Sequence, residues 1–203
     1  MAAGWIGCAV LVYVKRSPEF VALAAFFFVV ASMQLWEALL WRAQPGGCDS
    51  WNMAVSRGAM LTNHAEPLVL AAASACLLPM RPGLAGPLIA CIVAYLAMTV
   101  PASVDFWRLG VRGCTETDPV RGGLVWKWNY LYHWKGVAQY ALFLGVLLLT
   151  FAAFYPVCLA TLLSVLMAGT YAASIALYSP RKIGSMWCFF AAATPYVLLP
   201  VQI

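Results

Sequence analysis

Residues 18–42 read PEFVALAAFFFVVASMQLWEALLWR. Between Glu19 and Glu37 this stretch carries no charged side chain. It is long enough, at about 1.5 Å per residue, to cross the roughly 30 Å hydrocarbon core of a bilayer as an α-helix. Pro18 stands in the first turn, where its missing N–H costs nothing. Lys15-Arg16 before the stretch and Arg42 after it are the basic flanks such a helix needs.

Working outward, the same reading recurs. Residues 2–14 form a short apolar segment. They do not read as a signal peptide, because no basic region precedes them and no small-residue cleavage site follows. Further segments are predicted at 52–78, 84–104, 135–154, 157–178 and 184–203. They are separated by Pro45-Gly46-Gly47-Cys48, Pro79-Met80-Arg81-Pro82-Gly83, Tyr155-Pro156 and Ser179-Pro180-Arg181-Lys182. The sequence therefore predicts an all-α bundle of about seven transmembrane helices, with 1–203 as one transmembrane domain. One long polar loop, 105–134, holds Asp105, Glu116 and Asp118 together with four basic residues. Its end, Leu124 to Tyr130, alternates apolar and polar side chains, as a short hairpin or interfacial segment would.

Composition agrees. Of 203 residues, 64% are hydrophobic and 9% charged, against about 45–50% and about 25% in soluble domains. So few charges cannot cover a water-facing surface, and the lipid bilayer is the partner the chain demands. The net charge of +5 sits at loops and helix ends. No basic helix or aromatic-basic platform is present, which excludes a nucleic-acid role. The seven cysteines include no CxxC pair. Cys48 and Cys114 alone fall in polar loops, both on the N-terminal side of a seven-helix topology, and are candidates for a disulfide. Such a bond would place that side in an oxidising compartment, whereas the distribution of Lys and Arg favours a cytosolic N-terminus. Small-residue stripes at Gly86/Ala90/Ala94 and Ala168/Ala172/Ala176 are expected to pack helices together. Most Trp and Tyr near helix ends are expected to form interfacial belts.

The informative residues are polar groups at membrane depth. Gln34 and Glu37 share one face of the second segment. Asn52, Ser56, Asn63 and Glu66 lie near one face of the third, with His64 beside them. Pro67 removes one helical hydrogen bond and frees the carbonyl of Asn63. Gln34, Glu37, Asn52, Asn63, His64, Glu66, Pro67 and His133 are thus the candidate polar cluster. It reads either as interhelical glue, with the acids paired to Arg57, Lys135 or His133, or as a functional polar pocket between the second and third helices. The last segment has no lysine for a retinal Schiff base. Two histidines are too few for a three-histidine zinc hydrolase, and a zinc site would need Glu66 or Glu37. No GxSxG, HExxH, P-loop or Rossmann pattern occurs. No catalytic residue, metal ligand or cofactor is assigned.

Several landmarks, Gln34-x-x-Glu37-x-x-x-Trp41, Cys48, Asn52, Glu66-Pro67, Cys114, Gly123-Leu124-x-Trp126-x-Trp128 and Gly184-Ser185-Met186-Trp187-Cys188-Phe189, together resemble a family of seven-helix membrane proteins from protists, algae and giant DNA viruses. In that family a Gln often precedes the proline, where this chain has Glu66. The resemblance implies a seven-helix bundle and carries no activity. Three functional readings stand: an ion, proton or small-molecule transporter or channel; a non-catalytic subunit binding other membrane subunits, pigment, lipid or a second copy; and a membrane-embedded lipid-modifying enzyme. Two histidines place the enzyme last.

Overall fold

The computed structural model describes residues 1–118, 123–128, 133–177 and 183–202. Its helices are α1 (Ala2–Lys15), α2 (Pro18–Ala43), α3 (Ser50–Leu77), α4 (Ala85–Arg108), α5 (Trp134–Phe154), α6 (Val157–Leu177), α7 (Ile183–Ala191) and α8 (Thr194–Leu198). Short 3-10 turns cover Gln44–Gly46 and Gly110–Gly113. The strands β1 (Glu116–Thr117) and β2 (Leu124–Val125) pair antiparallel, Glu116 against Val125 and Thr117 against Leu124. The chain is an all-α, multi-pass membrane bundle: α2, α4, α5 and α6 are each long and apolar enough to cross a bilayer.

The third segment departs from that pattern for a physical reason. α3 has 28 residues, or about 42 Å of helix, yet its composition is too polar for a lipid-facing span. It is instead the inner helix, packed against α2 most extensively and also against α5 and α4. Asn52, Ser56, Asn63, His64, Glu66 and Ser74 are all buried on it. Close approach to α2 is set by Gly58, where a Cβ would stand 2.6 Å from the Trp36 ring. The Trp36 indole then donates to Thr62 Oγ1 at 2.8 Å.

The seventh segment is not one helix. It breaks after Ala191, and Pro195 stands in the first turn of α8. Proline restricts the residue before it and offers no N–H, so the helical ladder stops and restarts. α8 turns back on α1, where Tyr196 packs on Gly7 and donates to the carbonyl of Ala3. Lys15 closes the same seam by donating to the carbonyl of Val201.

Three further expectations change. α4 runs on to Arg108, so the long loop begins four residues later than predicted. Both small-residue stripes point outward, with Gly86, Ala90, Ala168, Ala172 and Ala176 exposed. Of the end-of-helix aromatics, Trp41, Trp51, Trp107 and Trp134 are exposed, but Tyr155 and Trp187 are core residues; Tyr178 lies outside the described residues. Tyr155 is buried because it ties two turns together. Its hydroxyl meets Ser74 Oγ at 2.9 Å, and its carbonyl accepts from Arg81 Nη2 at 2.6 Å.

Candidate functional site

The polar residues of α3 form two sites rather than one. Asn52 and Asn63 are eleven positions apart, about 16 Å along the axis. Each group recruits its own partners.

The first group is a clasp near the start of α3. Asp49 caps the helix by accepting from the Asn52 N–H at 2.7 Å. The Asn52 amide then pairs with the backbone of Thr115 as a second strand would, donating to its carbonyl at 3.0 Å and accepting from its N–H at 3.1 Å. Ser56 Oγ accepts from the same N–H at 3.1 Å and meets Thr115 Oγ1 at 2.8 Å. Gln44 Nε2 donates to the Thr115 carbonyl at 3.2 Å. Beside this clasp Cys48 and Cys114 are joined in a disulfide, with Cα atoms 5.5 Å apart. Asn52 therefore holds the long loop and takes no part in the mid-helix site.

The clasp and disulfide aim the loop inward. Leu124, Trp126 and Trp128 are buried while Val125 and Lys127 between them are less so, the alternation expected of an extended segment with one inner face. Lys127 pairs with Glu116 across the hairpin. Trp126 and Trp128 lie 4.9 Å apart, and Trp128 meets the His64 ring edge-on at 5.5 Å. The loop is thus a lid over the middle of α3.

Under that lid His64 is held from both sides. Ser103 Oγ donates its hydrogen to the Thr99 carbonyl at 2.8 Å, so toward His64 Nδ1, 3.0 Å away, it can only accept. The Gln139 amide nitrogen stands 2.9 Å from His64 Nε2 and donates there. Both contacts require one tautomer, a neutral imidazole with its proton on Nδ1. Tyr95 donates to the His64 carbonyl at 2.9 Å, one residue beyond the carbonyl that Pro67 deprives of its helical donor.

Two cavities flank this histidine across α4, rather than between α2 and α3 where the sequence predicts the polar pocket. One, about 580 Å³, lies between α3 and α4 and is lined by His64 and Ser103 among apolar side chains. The other, about 570 Å³, lies between α4 and α5 and is lined by Asp105, His133 and Gln139 among others. His133 caps α5 and is exposed. It does not join the His64 group, but it shares a cavity wall with Gln139.

Glu66 leaves α3 on a different side, toward α7. It is wholly buried. Cys188 donates to its Oε1 at 3.6 Å and the Asn63 amide lies against the same carboxyl, while Oε2 has no partner of ordinary hydrogen-bond geometry among the described residues. Asn63 stands between the two halves: its amide meets Cys188 Sγ at 3.9 Å, and it lines, with His64, Tyr95, Gln139 and Tyr140, a void too narrow to admit water. On α2, Glu37 is half-buried and near enough to Cys188 to interact with it electrostatically. The Gln34 amide lies against the Glu37 carboxyl, its buried nitrogen outside ordinary hydrogen-bond geometry. Among the described residues neither acid has a basic partner. Arg57 instead lies over the Trp107 ring at 4.4 Å, and the ion pairs are Arg108–Asp105 and Lys127–Glu116.

Sequence reasoning missed Ser103, Gln139 and Tyr95, and quoted Trp128 and Cys188 as landmarks without placing them in the polar cluster. Gln139 carried a signal, a lone amide in an otherwise apolar segment. No group of three or more His, Cys, Asp or Glu able to hold a metal exists among the described residues, so the zinc variant of the enzyme reading has no donor set there. Comparison with known proteins found no matching family profile, curated protein or solved structure.

Proposed function

We propose that the protein moves protons across its membrane, with Glu66 as the group that takes up and releases them. The observation that carries this reading is the wholly buried Glu66 carboxyl, which has no ion-pair partner among the described residues. A charge in such a place must be balanced, by a proton or by a cation. Ionisable residues inside a membrane-spanning bundle characteristically mark ion and proton pathways.

The surroundings support a relay. Asp105 and His133 offer titratable groups at the wall of the α4–α5 cavity, and Gln139 connects that wall to His64. A proton arriving at His64 Nε2 turns that atom from acceptor to donor, and the Gln139 amide accommodates it by rotating its oxygen into place. Asn63 and Cys188 continue toward Glu66. The void between His64 and Asn63 admits no water, so transfer requires α3 to bend. Pro67, inside the helix, is where the ladder is already weakened.

The test is proton flux into liposomes holding the purified protein and a pH-sensitive dye, driven by a potassium diffusion potential. Wild-type liposomes acidify or alkalinise with the sign of the potential. Glu66→Gln, which preserves size and removes the titrating group, reduces the rate to that of empty liposomes. Flux in Glu66→Gln equal to wild type, or wild-type flux no greater than that of empty liposomes, sinks the reading.

A further inference from the structure

The cavity between α3 and α4 has a shape and charge that the proton reading does not use. Leu61, Leu68, Leu96, Val100 and Val104 line it, and Leu61, Val100 and Val104 are each 43–54% exposed. It is therefore a groove open sideways to the bilayer. Its loop end is basic. Arg108 lines it, with a side chain 77% exposed. Arg57 lies one helical turn beyond Leu61, its Nη2 donating to the Trp107 carbonyl at 2.9 Å and its Nε buried without a partner. Asp105, the nearest acid in sequence, lines the opposite cavity. It reaches Arg108 only at 3.9 Å in a solvent-exposed pair, which is worth little.

The level of these arginines is marked independently. Trp41 ends α2, Trp51 begins α3, Trp107 ends α4 and Trp134 begins α5, so all four stand at one end of the bundle, and all are 47–67% exposed. Such a ring of half-exposed indoles marks the headgroup layer. A groove lined by aliphatic side chains that ends in Arg108, with Arg57 stacked on Trp107 at the same rim, fits a molecule with an acyl chain and an anionic head. The guanidinium is the group best matched to phosphate oxygens.

We infer that the α3–α4 groove seats one acyl chain of an anionic phospholipid drawn from the surrounding bilayer, with Arg57 and Arg108 holding its phosphate. Binding of this kind is independent of proton movement. It places a lipid chain against His64 and Ser103, on the side of the histidine away from Gln139.

The experiment is native mass spectrometry of the full chain after reconstitution in vesicles of equal phosphatidylcholine and phosphatidylglycerol and gentle extraction in detergent. The expected result is one phosphatidylglycerol retained per chain. Arg108→Gln, at an exposed position, lowers its occupancy about fivefold, the factor associated with one arginine at an anionic lipid surface. Adding Arg57→Gln lowers it further. Val100→Trp, which fills the groove from an exposed position, removes the lipid while leaving the helical circular dichroism unchanged. Equal retention of phosphatidylcholine, or wild-type retention of phosphatidylglycerol in both Arg108→Gln and Val100→Trp, overturns the inference.

Discussion

Replacing Asn52 by Ala removes a side chain that is 1% exposed and makes four hydrogen bonds besides its own N–H cap. Two go to the Thr115 backbone, one to the Gly47 carbonyl at 3.3 Å, and one comes from Ser56 at 3.2 Å. Bonds of this type contribute about 1 kcal/mol each. The full sum is not lost, because Ser56 still serves the Thr115 N–H and Gln44 still serves its carbonyl. Alanine's better helix propensity returns about 0.5 kcal/mol. The expected loss is about 2 kcal/mol. Ser56→Ala alone, with Asn52 still on the Thr115 N–H, costs about 1 kcal/mol by the same counting. Together the two substitutions leave the buried Thr115 N–H, which either residue alone still serves, without a partner, at about 1–3 kcal/mol. The double variant should therefore lose about 2 kcal/mol more than the sum of the singles, a coupling within the range of contacting residues. The assay is unfolding of the purified protein in mixed detergent–SDS micelles, followed by tryptophan fluorescence under non-reducing conditions. Strict additivity, or an Asn52→Ala loss below about 0.5 kcal/mol, refutes the picture of a shared clasp on Thr115.

Reducing the Cys48–Cys114 bond, or replacing both residues by Ser, should destabilise the protein by up to about 4 kcal/mol in the chain-entropy relation for a separation of 66 residues; an unchanged midpoint in the same SDS titration would refute it. Trp128→Ala opens the cover over His64. It should make the imidazole reactive to diethyl pyrocarbonate by mass spectrometry while costing about 3–5 kcal/mol, as large aromatic truncations do. A His64 modified equally fast in wild type would show that the lid does not shield it.

The sequence made the helices legible because lipid imposes a simple rule on outward faces: long apolar runs and basic flanks. It could not show how the helices are arranged, since small-residue stripes can face either a neighbour or lipid. Gly86 and Ala90 face outward, while the contact that sets the α2–α3 distance rests on a single glycine, Gly58. The break between α7 and α8 was written in Thr194-Pro195, but mean apolarity hides a proline. Helical periodicity put the α3 residues near one face and could not see that axial distance divides them. Asn52 belongs to Thr115, Asn63 to Cys188 and His64 to Gln139, partners 63, 125 and 75 positions away. Nothing local to α3 selects them; only the packed bundle does.

The Cys48–Cys114 bond also makes α3 and α4 members of one covalent ring, closed at one end by sulfur and at the other by the short turn around Arg81. A protease cut in that turn severs the backbone yet releases no fragment. The two walls of the lipid-facing groove are stapled at both ends like the stiles of a window frame. Whatever enters does so through the pane, from the side, and neither end can swing open to admit it.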